Sequence, residues 1–438
     1  MTSPSRDKPS QPRISLPGRG LPPQGSAKAW TVFGMWVACS LAGFIVVSNI
    51  GLLLPAISED LGLSSGQQGV LSSAAFWGAM VMAIPLTWWM SRYSPRWAVT
   101  VILALCAAFL LLQAWAPAFG LLIVGRLAFG LALLAIDPPG AMLVQQWFAQ
   151  RQIVMVNSIG NALFGVLLGV GLLATPFILH ALGSDWRMTL YIFAACFGVL
   201  AVMWMGLVRE RGAEPRKRRG ESAQETGQVW RILTQRDLLA AGLGMLGLNL
   251  AMNAFLTFFP TYVLRTYDIS LEWSGGILAM QLITGGAAGL GIGYLVTTTG
   301  RRREVLVALG LLMTAGYVGM TLTGSVPLLL ALSFLAGAAL GGSPIIYSVS
   351  FQLPGSTPKR VAIAVSMMMV TIATGTVVGP LMTGFLEGVF DGLQVPLIIA
   401  GCSGLSLCVT GLVLRRMPKL VPTPTATAQE RREPTPAK

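Results

Sequence analysis

Two side chains stand out because their chemistry is costly where they lie. Arg126 and Asp137 fall inside one apolar run, about residues 119–144. On insertion scales a charge at the centre of a membrane helix costs about 2.5–3.5 kcal/mol, while a Leu or Ile returns only about 0.3–0.6. The two are about three helical turns apart, roughly 16 Å. That spacing puts them on nearly one face but too far apart for a direct ion pair. Gly130, one turn past Arg126, leaves room for a close helix or a ligand. Two uses compete for each group. Arg126 could attract an anionic substrate group or position a proton, or it could pin carbonyls of neighbouring helices. Asp137 could be a titratable coupling site, or it could cap the break at Pro138-Pro139 by accepting a backbone hydrogen bond.

Neutral polar side chains inside other apolar runs are the next candidates. Asn49 and Asn253 lie about two turns before Pro55 and Pro260. Asn249 and Asn253 share a helix face, as do Asn157 and Asn161. Gln281 and Tyr347 complete the set. Their competing use is hydrogen bonding between helices, worth about 0.6 kcal/mol each. The five cysteines, all within apolar runs and without metal-ligand spacing, read as small hydrophobes. No nucleophile–base pair or metal constellation is visible, so neither an enzyme nor a cofactor is expected. Without a G-x-x-x-x-G-K-[ST] loop, energy would have to come from a gradient.

The elements that must position these groups are membrane helices. The 438-residue chain is 54% hydrophobic and only 11% charged, with mean hydropathy +0.69. Soluble domains carry roughly 25% charge. A net charge of +13 could signal nucleic acid, but the bases lie between the apolar runs, so no nucleic-acid partner is expected. A helix needs about 20 apolar residues to cross the hydrocarbon core. Twelve stretches qualify: about 30–56, 70–90, 97–115, 119–144, 153–180, 187–207, 238–264, 273–297, 304–323, 326–350, 361–387 and 395–414. With the N-terminus inside, all but Arg126, Arg187 and Arg265 of the 30 lysines and arginines fall on the cytoplasmic side, while the outer loops hold acids such as Asp60, Asp185, Asp268 and Glu387. This predicts a multi-pass inner (plasma) membrane protein with both termini cytoplasmic. Trp30, Trp88, Trp89, Trp97 and Trp147 read as interfacial anchors, and the basic run Arg216–Arg219 should meet anionic lipid.

The connection at 208–237 divides the chain into six-span bundles at 29–207 and 238–415, between disordered tails at 1–28 and 416–438. The halves resemble each other. Pro55, Gly62-Leu63-Ser64 and Gly69-Val70-Leu71 parallel Pro260, Asp268-Ile269-Ser270 and Gly276-Ile277-Leu278. Paired halves around a midplane site are the architecture of many transporters.

In these features the chain resembles the major facilitator superfamily over about residues 30–415. That family's loop between its second and third helices reads G-x-x-x-D-R-x-G-R-R. The second copy here keeps Gly293, Gly300, Arg301 and Arg302; the first keeps Arg92 and Arg96, and the acid is missing from both. Arg126-Leu127-Ala128-Phe129-Gly130-Leu131-Ala132 is similar to the family's R-x-x-x-G-x-G/A helix. The Gly-Pro core of the antiporter motif is absent from the fifth span.

The resemblance implies an all-α fold of two pseudo-symmetric bundles and a gating role for the loop residues. Its first, fourth, seventh and tenth helices line the cavity, which favours Asn49, Asn249, Asn253 and Tyr347 as substrate contacts beside Arg126 and Gln281. The expected function is alternating-access transport of a small organic anion coupled to protons through Asp137, by a monomer in the bilayer. Efflux of hydrophobic compounds by proton antiport is the alternative, and would need a cavity lined mainly by aromatic and Met side chains. A transporter-like sensor or assembly protein that does not transport is a third reading, which a sealed cavity would favour.

Overall fold

Pro and Gly placement explains where the helices start, break and stop. The computed structural model describes residues 27–90, 93–148, 150–210, 233–351 and 358–414. Most of the expected tails and of the 208–237 connection lie outside the described residues, as do Arg92 and the side chains of Trp88, Trp89, Asn157 and Asn161. The first half comprises α1 (Ala27–Ser48), α2 (Ile50–Leu61), α3 (Ser65–Met90), α4 (Pro95–Trp115), α5 (Phe119–Leu134), α6 (Asp137–Trp147), α7 (Gln150–Ala181) and α8 (Trp186–Leu207). The second comprises α9 (Arg236–Tyr267), α10 (Leu271–Thr299), α11 (Arg302–Met320), α12 (Val326–Leu340), α13 (Ser343–Tyr347), α14 (Pro358–Phe390), α15 (Gln394–Cys402) and α16 (Leu405–Val413), with a 3-10 turn at Ser348–Phe351. Eleven described stretches are long and apolar enough to cross a membrane by length and composition, and α3 is a further 26-residue helix beside them.

Four of the expected spans are interrupted. The first turns at Asn49, between α1 and α2. The fourth breaks between α5 and α6, just ahead of Pro138 and Pro139, which cannot donate to the preceding turn. The tenth breaks at Gly341-Gly342, ahead of Pro344, and the twelfth at Ser403-Gly404. The breaks before Pro138 and Pro344 occupy matching places in the two halves, so the repeat extends to irregular backbone as well as to loops. Helix ends obey ordinary capping chemistry. Asp185 Oδ1 accepts from Arg187 N at 2.8 Å and Met188 N at 3.2 Å. Gly300 closes α10 in the left-handed conformation, φ 68°.

Within the first half α4 packs on α8 and α5, and α3 on α5; within the second, α9 packs on α14 and α12 on α10 and α11. The halves meet where α3 crosses α14, α7 crosses α10 and α2 crosses α9. Several of these contacts are close enough to exclude a side chain. A Cβ on Gly51 would fall 2.1 Å from Leu256 O, and one on Gly384 would fall 2.6 Å from Ser65 O. Such small-residue crossings are how membrane helices approach without a hydrophobic driving force. These two contacts lie at the end that carries α2 and the first turns of α3. The predicted outer bases are here too, each matched to an acid: Arg187 to Asp60 at 2.7 Å and Arg265 to Glu387 at 3.0 Å.

Candidate functional site

Away from that end lies a cavity of about 400 Å³, lined among the described residues by Phe33, Trp36, Val37, Ser40, Phe44, Asp137, Gly160 and Phe164. Helical periodicity on α1 turns Phe33, Trp36, Val37, Ser40 and Phe44 to one side. Gly160 and Phe164 come from α7. Asp137 is the first residue of α6, so the helix break projects it into the space that a continuous helix would fill.

Asp137 lines this space, with its carboxyl part-buried against α1. Its Oδ1 accepts from Ser40 Oγ at 3.1 Å, and Oδ2 has no partner among the described residues. The cap position of α6 is Ile136, whose side chain cannot accept, and among the described residues no backbone N–H bonds to the Asp137 carboxyl. The capping role considered for Asp137 is therefore corrected: the carboxyl faces α1 and the cavity instead of its own backbone. The position at a helix N-terminus still favours negative charge there.

Around the carboxyl the wall is aromatic. Phe44 and Phe164 pack edge to face at 5.1 Å between centroids, and Phe33 and Trp36 are 6.0 Å apart. Trp36 lies on the α6 backbone one turn beyond Asp137: a Cβ on Gly140 would fall 1.9 Å from Trp36 Nε1. That nitrogen is buried without a hydrogen-bond partner among the described residues.

Arg126 is elsewhere. It is fully buried, with Nη2 donating to Val47 O at 3.0 Å and Nη1 approaching Val46 O at 3.5 Å. Both carbonyls belong to the last turn of α1, where backbone acceptors lack intrahelical partners. The α1 break at Asn49 creates those acceptors, and a cation at a helix C-terminus offsets the dipole. Gly130 seats the backbone of α3: its Cβ would fall 1.9 Å from Ala75 O.

The remaining predicted contacts are dispersed. Asn49 is buried and donates to Thr175 Oγ1 at 2.7 Å, bridging to α7. Asn249 donates to Met245 O within α9. Half-buried Asn253 donates to Asn249 O at 2.9 Å and to Thr376 Oγ1 of α14 at 3.3 Å. Gln281 is buried against Tyr317 OH at 2.6 Å, and Tyr347 is half-buried beside Phe351. Of the predicted residues whose side chains are described, Asp137 alone lines the aromatic cavity.

The loop residues make helix-end contacts. Arg96 donates through its backbone N–H to the Glu210 carboxylate and through Nη2 to Met205 O, and its own carbonyl accepts from Trp204 Nε1 at 3.1 Å. An acid from beyond α8 thus meets the loop in place of the acid its own motif lacks. Arg302 is buried and donates to Ile345 O at 2.8 Å; Arg301 is exposed, and Gly293 stands in open space. Trp147, expected at the lipid interface, is buried and donates to Arg209 O at 3.0 Å, because the indole N–H finds its acceptor inside the bundle.

Sequence reading missed Ser40 and the four rings. A helical stripe of aromatic side chains reads the same whether it faces lipid, a neighbouring helix or a void. The only usable signal was Ser40, the polar member of the Phe33–Phe44 stripe.

A family model described as Major Facilitator Superfamily matches residues 36–315 and 275–438. The hexuronate transporter of Bacillus subtilis (strain 168) is 26% identical over 416 residues, covering 87% of this chain and 93% of that protein. The probable galactarate/D-glucarate transporter GarP of Escherichia coli (strain K12) is 23% identical over 397 residues, covering 81% and 87%. Among solved structures, a bacterial homologue of the human lysosomal transporter Spinster, in an inward-facing and unoccupied conformation, superposes with a TM-score of 0.67 at 18% identity, over 89% of this chain and 95% of that one.

Proposed function

The chain belongs to the major facilitator superfamily, and we propose that Asp137 is the proton-exchanging group at the centre of its transport cycle. The protein is a multi-pass secondary transporter of small molecules and not an enzyme. In the proposed reading it spans the plasma membrane twelve times as a monomer, with the termini cytoplasmic and six-span bundles at 29–207 and 238–415. The observation that carries the reading is the Asp137 carboxyl on the wall of the 400 Å³ cavity, bonded on one oxygen to Ser40. An ionised carboxylate among aromatic rings is costly unless it is protonated or paired, so loading and unloading a proton changes which state of the cycle is favoured. Rocking of the bundles about their contacts then exposes the cavity to one side and the other. Contact at the α2 end corresponds, under cytoplasmic termini, to a state closed on the outside.

The aromatic lining supports the alternative of a hydrophobic, ring-bearing substrate over a free organic anion. Arg126 is engaged by α1 carbonyls and supports packing in this state, while half-buried Asn253 and Tyr347 are offered as contacts from the second half. A second reading, an organic anion coupled to protons, is favoured by the relatives named as hexuronate and galactarate/D-glucarate transporters.

The test is flux into proteoliposomes driven by a pH gradient, with Asp137→Asn as the variant. Gradient-driven flux is expected to vanish while energy-independent exchange of substrate persists. Flux driven as strongly in the variant as in the wild type would remove Asp137 from coupling.

A further inference from the structure

Resting on the reading of Asp137 as the coupling group, the composition of the cavity narrows what it can hold. Its described lining contains one acid, one hydroxyl and four aromatic rings, and no Lys, Arg or His. Ring faces carry the negative end of their quadrupole, which attracts cations and repels anions. The carboxylate adds a full negative charge on the same wall. Ser40 occupies only Oδ1, leaving Oδ2 unpartnered among the described residues. A volume of about 400 Å³ lies toward the lower end of small-molecule pockets, about 300–1,000 Å³, and suits a compound with one ring system.

We infer that the cavity binds a ring-bearing organic cation, an ammonium whose charged nitrogen pairs with Asp137 while its apolar body lies among Phe33, Trp36, Phe44 and Phe164. The ammonium and a proton then compete for one carboxylate. When the cation arrives the proton leaves Oδ2 for water, and when the cation departs a proton returns, so exchange is one for one and the site never carries an unpaired charge.

Among the described residues, no other ionisable group on the elements packed against α6 is positioned to take over this role. α1 has Lys28 in its first turn and the buried thiol of Cys39; α3 has none. α4 has Arg96 in its first turn, bonded to Met205 O, and buried Cys106. α7 has His180 in its last turn, and the side chain of Arg151 lies outside the described residues. Arg126 of α5 is held by Val46 O and Val47 O.

The test uses three probes of similar shape and different charge: phenethylammonium, 2-phenylethanol and phenylacetate. Equilibrium dialysis against the full-length protein in detergent at pH 6 and pH 8 gives their affinities. Phenethylammonium is expected to bind about tenfold or more tighter than 2-phenylethanol, with phenylacetate weakest. Its apparent affinity should rise with pH, because fewer protons compete. Asp137→Asn should remove most of the charge preference, leaving only what the ring faces supply, and should abolish the pH slope. Phe164→Leu keeps an apolar wall but loses a ring face, so it should weaken the ammonium severalfold more than it weakens 2-phenylethanol. A control by size-exclusion chromatography shows whether each variant is folded. Equal affinities for the three probes, or tightest binding by phenylacetate or by D-glucuronate, would overturn the inference. If that happens while Asp137→Asn still abolishes gradient-driven flux, the coupling role stands and only the cation is wrong.

Discussion

The contact between α2 and α9 offers the most direct test of whether the halves move apart during the cycle. A Cβ on Gly51 would fall 2.1 Å from Leu256 O, 2.7 Å from Thr257 O and 2.8 Å from Thr257 Cα. All three are backbone atoms, so no rotamer change relieves the clash. Non-bonded atoms settle at about 3.5 Å, which means that the helices must separate by roughly 1 Å or more in Gly51→Ala. Overpacking of this kind costs about 1–3 kcal/mol. If the cost falls only on the state in which these helices touch, that state is depleted about 5- to 150-fold relative to its alternative. Pulsed electron paramagnetic resonance reads this out. Spin labels are placed through Glu59→Cys and Asp391→Cys, both exposed at this end, with the five native cysteines replaced by alanine. Gly51→Ala should add a longer-distance population, whereas Gly120→Ala, where a Cβ meets nothing within 4 Å, should not. An unchanged distance distribution in a folded Gly51→Ala protein would refute the idea that this contact opens and closes.

Two further outcomes concern the bonds around the first span. Arg126→Met removes two charge-assisted contacts to the last turn of α1, each worth about 1.5–3 kcal/mol, so thermal unfolding in detergent should fall well below that of the wild type, with Arg126→Lys in between. Normal unfolding combined with lost substrate binding would instead make Arg126 a ligand contact. Thr175→Val deletes the partner of Asn49 Nδ2 and should destabilise modestly, by about 0.6 kcal/mol and at most about 1.7, without altering proton coupling. A variant with normal unfolding but altered coupling would place Asn49 in the transport cycle.

Composition and spacing were enough to establish the solvent, the helical class and the pairing of two halves. Apolar runs of about 20 residues leave no other structure in lipid, because every backbone group must be satisfied within its own segment. Proline positions also carried information: Pro138 and Pro344 begin the second pieces of two broken helices at matching points of the repeat. The roles of Arg126 and Asp137 were not legible. Both are charges on one helical run, and their insertion cost is the same whatever they face. With the break at Ala135–Ile136 separating α5 from α6, Arg126 reaches the α1 carbonyls while Asp137 reaches Ser40 and open space. Likewise, nothing in the residues from Phe33 to Phe44 says that their stripe borders a void. Helix rotation and the distance to α7 decide that, and these are set by packing across the whole bundle, not by any local run of residues.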